Sequence, residues 1–250
     1  MTDLNTLERT AIEAVARRFS ATWEESSDPN HASIMVAGKR IAVELTTLER
    51  RGAGQSNAAK RDFARPGLRF DKVATRLIEH LQASLREIVP AGITVLLTIT
   101  APIRLPSKTA ASLGEKIQAL LSRESPVRDK PRRDKPRRDT KDTIHGNRIQ
   151  IRLLRVESQL APKMIGFVHN SDSDPLLLFD MTDELLELIS MQAGKRAPRL
   201  AGDRWLVLIC AAGISCLDAY RYIYSQLRTP INFTKILMVF ADGRVGTLTA

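Results

Sequence analysis

Residues Asp28 to Thr46 read D-P-N-H-A-S-I-M-V-A-G-K-R-I-A-V-E-L-T. The stretch predicts a β-hairpin. Ser33-Ile34-Met35-Val36 forms one arm, Ala37-Gly38 the turn, and Lys39 to Thr46 the other arm. Successive strand residues face opposite sides, so Ile41, Val43 and Leu45 share one face, and Ala42, Glu44 and Thr46 the other. A carboxylate therefore sits in mid-strand with a hydroxyl two residues on along the same face. A second acid, Asp28, precedes the first arm.

The elements around the hairpin set the fold class. Residues 4–24 read as an amphipathic helix, with Leu4, Leu7, Ile12, Val15 and Phe19 at helical spacing. Residues 49–66 form a loop bearing Arg50, Arg51, Lys60, Arg61 and Arg65, with no carboxylate between Glu49 and Asp62. That loop reads equally as a phosphate-contacting or lid loop and as a solvated connection. Residues 68–89 predict a helix that stops at Pro90-Ala91-Gly92. The run 93–100, ITVLLTIT, predicts a strand apolar on both faces, and 107–122 a further helix.

The pentapeptide RDKPR then occurs twice in tandem, at Arg128–Arg132 and Arg133–Arg137. Lacking apolar residues, residues 123–145 are expected to be a disordered basic linker. The second half predicts strands at Ile149–Val156, Met164–Val168, Leu176–Phe179 and Asp203–Cys210, then Lys235–Phe240 and Arg244–Thr249. It predicts helices at Asp180–Lys195 and Ser215–Leu227. This alternation argues for an α/β fold, a mixed central sheet flanked by helices. The expected organisation is a core over 1–122, a linker over 123–145, and an α/β second half over 146–250 that packs on or extends the same sheet.

Composition narrows the function classes. The chain has 250 residues, a formal net charge of +10 and two cysteines, Cys210 and Cys216. The charge suits a polyanionic partner, and the cysteines supply no disulfide framework or zinc spacing. No apolar run approaches the ~20 residues that span a bilayer, and no apolar signal core stands at the N-terminus, so the expected location is cytoplasmic. Aromatic residues make up 5%, too few for a stacking platform. His31, His80, His145 and His169 lack metal spacing, and His31, beside the hairpin, reads as a surface or capping residue. Ala212-Gly213-Ile214-Ser215-Cys216 lacks the G-x-S-x-G of a nucleophile elbow, and no P-loop or dinucleotide fingerprint is present.

The order helix, hairpin with an acid before it, strand with Glu-x-(polar), helix, apolar strand resembles the PD-(D/E)XK nuclease superfamily. In that pattern an acid begins the second core strand and Glu/Asp-x-Lys ends the third. The runs GKRIAVELTTL, DRWLVLI and KILMVFADGRVGTL are similar to uncharacterised bacterial proteins with a restriction-endonuclease-like fold. The resemblance implies a Mg²⁺-dependent nuclease acting on DNA. Asp28, Glu44 and the Leu45 carbonyl would hold the ion, because Mg²⁺ prefers hard oxygen ligands. Glu8 or Glu13 would be an additional helix acid. Thr46 falls where the pattern has lysine, and Lys39, Lys60 and above all Lys72 are the candidate replacements, Lys72 lying on a helix expected beside the hairpin. Arg50, Arg51, Lys60 and Arg61 would contact nucleic acid. Two further readings stand beside it. One is a catalytically decayed module of the same fold that binds nucleic acid or a protein. The other is a structural or interaction protein with a basic tail.

Overall fold

The computed structural model describes residues 4–26, 31–48, 67–123, 139–156, 161–194, 203–211, 213–227 and 233–248. It is an α/β fold with two mixed sheets flanked by helices. Two compact units result, the first drawn from Met1–Phe63, Glu187–Ser225 and Thr229–Ala250, the second from Ala64–Leu186 and Gln226–Arg228.

The first unit carries a six-stranded sheet in the order β1 (Thr22–Glu25), β2 (His31–Val36), β3 (Lys39–Leu48), β8 (Arg204–Cys210), β9 (Lys235–Phe240), β10 (Val245–Thr247). The first three strands form an antiparallel meander, β3, β8 and β9 run parallel, and β10 turns back antiparallel. The hairpin turn is the expected one, with Ala37 at φ 49° and Gly38 at φ 78°.

Helix α1 (Thr6–Arg18) starts at an Asn5 cap, whose side chain accepts from the Glu8 N–H while the Glu8 carboxylate accepts from the Asn5 N–H. Its apolar face packs with Ile41, Val43, Leu45, Trp205, Val207 and Leu237. Helix α5 (Leu217–Leu227) lies on the opposite face, where the Tyr220 hydroxyl is 3.7 Å from Cys210 Sγ. The apolar parity of β3, read from the sequence, is the α1 face. Glu44 therefore belongs to the other one.

The second unit carries the order β5 (Asp139–Ile144), β6 (Asn147–Arg155), β4 (Ile93–Thr100), β7 (Met164–His169). Helices α2 (Lys72–Leu85) and α3 (Pro106–Arg123) bury Leu77, Leu81, Leu113 and Ile117 against Val95, Leu97, Ile99 and Ile151. On the reverse face the first half of α4 (Pro175–Gly194) brings Phe179 and Asp180 to Arg152.

The α/β class with a mixed sheet flanked by helices is as expected, its strands being shared between two sheets: the apolar strand 93–100 lies in the second, and β8, from the far end of the sequence, lies beside β3 in the first. Three expectations are corrected. Residues 139–144, expected in the linker, form β5, held by β-branched residues and by ion pairs from Asp139 to Arg152 and from Asp142 to Lys116. Leu176–Phe179 is helix rather than strand. Asp174 Oδ1 accepts from the Leu176 N–H at 2.9 Å, Pro175 opens the first turn, and the leucine run is simply buried. The helix expected over 4–24 ends at Arg18, and Thr22–Glu25 pairs with β2 as the edge strand β1.

Candidate functional site

Glu44 stands at the middle of β3 and only 4% of its side chain is exposed. Fully buried carboxylates are rare unless paired. Two nitrogen-bearing side chains face it. Arg204 Nη2, at the start of β8, is 3.5 Å from Glu44 Oε2, and His31 Nε2, at the start of β2, is 3.9 Å from the same oxygen. Register explains both. His31 is the residue directly opposite Glu44 across the β2–β3 ladder, and Arg204 pairs with Ala42, two residues back on the same face. The Arg204 guanidinium also lies over the Phe233 ring, 4.7 Å from its centroid. This flat contact suits a delocalised cation.

The backbone beside Glu44 is oriented by the same ladder. The Ala42 N–H donates to the Asp203 carbonyl at 3.1 Å, so the main-chain groups of Ala42, Glu44 and Thr46 face β8. Those of Val43 and Leu45 face β2. The Leu45 carbonyl therefore points toward the start of β2. Thr46 lies on the Glu44 face, opposite Leu208, and is partly exposed. Further along that face, Arg40 Nη2 donates to Glu24 at 3.3 Å and to Ser33 Oγ at 3.1 Å, all exposed.

The structure thus brings Glu44, Leu45 and Thr46 together, as consecutive strand residues must be. Lys72 is the exposed first residue of α2, and α2 packs with α3 and β7 in the second unit. The helix belongs to the other sheet because the apolar stripe of α2 matches the apolar face of β4 and β7. Lys39 is on the opposite parity of β3 from Glu44, five residues away, about 16 Å along an extended strand. Glu8 is spent on the α1 cap, Glu13 is exposed, and α1 covers the face that Glu44 does not share. Asp28, Arg50, Arg51, Lys60 and Arg61 lie outside the described residues.

Two residues escaped the sequence reading. Arg204 read only as part of the buried strand Asp203–Cys210, and His31 as a surface or capping residue. The signal for Arg204 was a cation starting an otherwise apolar seven-residue strand, RWLVLIC. The signal for His31 was its register, recoverable by counting outward from the Ala37-Gly38 turn.

The donors beside Glu44 suit a hard divalent ion in kind, since the carboxylate and the Leu45 carbonyl are both oxygen ligands. Among the described residues, no group of three His, Cys, Asp or Glu side chains converges on one point. No family model, curated protein or solved structure matches this chain.

Proposed function

We propose that the chain is a nuclease-like protein acting on nucleic-acid phosphodiesters, with Glu44 at the centre of its site. One observation carries the reading. A nearly buried carboxylate sits on the third strand of an antiparallel meander that continues into parallel strands, between α1 on one face and α5 on the other. Helix, hairpin and acid-bearing strand stand in the order of the PD-(D/E)XK pattern, and Glu44 holds the place of its second acid. A bound Mg²⁺ would lower the pKa of a water and neutralise charge developing on the phosphate. Glu44 and the Leu45 carbonyl are the groups that would hold it. Asp28 is the further acid that the resemblance supplies. Arg204, charged at every working pH and 3.5 Å from Glu44 Oε2, would supply the charge that the resemblance expects at Thr46.

A second reading, the decayed binding module, draws on the same contacts. His31 rather than an acid begins β2 opposite Glu44, Thr46 replaces lysine, and Arg204 already compensates the carboxylate. Cleavage of plasmid and single-stranded DNA with Mg²⁺ or Mn²⁺, wild type beside Glu44→Gln, separates the two. The hydrolytic reading expects wild-type cleavage that falls at least about a hundredfold in the variant, as for loss of a charge-stabilising group. Equal activity in both proteins removes Glu44 from the site. DNA retention without cleavage by either leaves the binding module.

A further inference from the structure

The sheet of the second unit has two edge strands, β5 and β7, and they are treated differently. The outer edge of β7 is covered. The Gly166 N–H donates to Gln226 Oε1 at 3.1 Å, and Gln226 Nε2 donates back to the Gly166 carbonyl at 3.3 Å. Leu68 bridges to His169, and the Arg69 N–H donates to the Val168 carbonyl at 2.8 Å. Among the described residues, β5 has no such cover. An open edge presents unpaired N–H and C=O groups, a template for another strand.

The β5–β6 turn determines which groups of β5 face outward. His145 (φ 48°) and Gly146 (φ 77°) make a two-residue turn closed by the pair Ile144↔Asn147. Hydrogen-bonded and non-hydrogen-bonded pairs alternate from there. Ile144, Asp142 and Thr140 therefore bond inward to β6, and Thr143, Lys141 and Asp139 turn their main-chain groups outward. The Thr143 N–H is already taken, by Asp142 Oδ1 at 2.7 Å. Asp142 thus closes the edge at Thr143, and the stretch from Asp139 to Lys141 is left open.

The side chains of Asp139 and Lys141 share the sheet face opposite the α2–α3 core, across from Arg152 and Gln150. Asp139 accepts from Arg152 at 2.6 and 2.9 Å and keeps lone pairs for a further donor. Lys141 is exposed, and no carboxylate among the described residues stands at ion-pair distance from it.

A second copy can continue this sheet antiparallel, about a two-fold axis normal to it. Residues of one face then oppose residues of the same face. A register that sets Asp139 or Lys141 opposite its own counterpart brings like charges together, and one that runs further along β5 needs the occupied Thr143 N–H. Asp139 opposite Lys141 avoids both. It pairs unlike charges twice, exchanges the outward main-chain bonds of both residues, and sets Thr140 against its own counterpart as a β-branched pair on the axis.

We infer that β5 pairs with β5 of a second copy of this chain, Asp139 opposite Lys141 and Thr140 on the two-fold axis, so that the two sheets become continuous. The open stretch is short, and the association is accordingly weak and concentration-dependent.

Sedimentation velocity of the full chain over a wide range of concentration is the test. The wild type rises from the mass of one chain toward that of two. Lys141→Glu sets two acids opposite each other, and Lys141→Pro removes an outward N–H without touching the β6 ladder. Both variants keep the mass of one chain at every concentration, with circular dichroism unchanged. Thr140→Cys brings two thiols together on the axis, and copper–phenanthroline oxidises them to a cross-linked dimer much faster than it does Thr143→Cys, whose counterpart is a different residue. Cys210 and Cys216 are buried and give no background. A wild type with the mass of one chain throughout overturns the proposal. A dimer that survives either Lys141 variant, or equal cross-linking rates at positions 140 and 143, overturns it too, because the contact then lies on another surface.

Discussion

Replacing Arg204 with methionine tests whether the Arg204–Glu44 contact organises the first unit. The variant keeps a long side chain but removes the charge 3.5 Å from Glu44 Oε2. The two side chains expose 15% and 4% of their surface, so both are largely withdrawn from water. Unit charges at that separation attract by about 5 kcal/mol at an effective dielectric of ~20. Desolvation of both groups offsets most of this, and the intact pair adds little net stability. Breaking it is different, because a buried carboxylate loses its main described partner, at a cost of roughly 3–5 kcal/mol.

His31 remains at 3.9 Å and holds the loss to the lower end, about 3 kcal/mol once the contact with Phe233 is also gone. For a chain of this size about 1 kcal/mol moves the transition by roughly 2–4 °C, so Tm falls by about 6–12 °C. Tryptophan fluorescence is the assay, since Trp23 and Trp205, the two tryptophans of the chain, lie in the first unit. Arg204→Met/Glu44→Leu removes the buried charge as well and returns Tm to near the wild-type value. Wild-type stability in the single variant, or a double variant no better than the single, refutes the reasoning.

Burial holds the His169 imidazole below its ordinary pKa, so the unfolded chain binds the proton more readily. The second unit should then lose stability as pH falls through ~6.5, the loss levelling off below the folded-state pKa, and His169→Gln should flatten a urea-unfolding series between pH 7 and 5. Arg152 is 6% exposed and bonds Asp139 at 2.6 and 2.9 Å and Asp180 at 3.1 Å. Arg152→Met removes the described ion pairs of Asp139 and Asp180 and costs about 3 kcal/mol by urea unfolding, and Arg152→Lys recovers only part because it lacks the planar fork. A Cβ at Gly166 would lie 2.6 Å from Ile78 Cδ1 whereas one at Gly114 in α3 meets nothing within 4 Å, so Gly166→Ala should lose about 1–3 kcal/mol and Gly114→Ala should gain up to ~1 kcal/mol in thermal unfolding.

The hairpin was legible because its information is local. Alternation over Lys39–Thr46 and a glycine turn determine which residues share a face, and no distant residue can alter that. The helices were legible from their stripes, with ends displaced by a few residues. The sheets were not, because pairing between remote strands leaves no periodic mark. Ile93–Thr100 and Arg204–Cys210 are both apolar runs fit for a sheet interior. Nothing within either says that the second, and not the first, lies beside β3. Nor does the apolar stripe of α2 say which sheet it covers, and its packing partners in the structure are α3 and β7. Leu176–Phe179 failed for a smaller reason, since a four-residue apolar run fits a buried helix as well as a strand.

Under the proposed nuclease reading, a threonine at position 46 has a chemical consequence once Arg204 is recognised. A lysine in a nuclease site can hold a phosphate oxygen and can also give up its proton. An arginine performs the first task and not the second, because the guanidinium stays charged. Arg204 is also fixed by Glu44 and Phe233, so it can act only on an oxygen brought to that place on the sheet. Hydrolysis centred on Glu44 would therefore show no alkaline limb from a titrating lysine. The pH–rate profile should rise to a plateau, and Arg204→Lys should introduce an alkaline fall where the wild type is flat. An alkaline limb already present in the wild type would mean that another titrating group, not Arg204, supplies the charge.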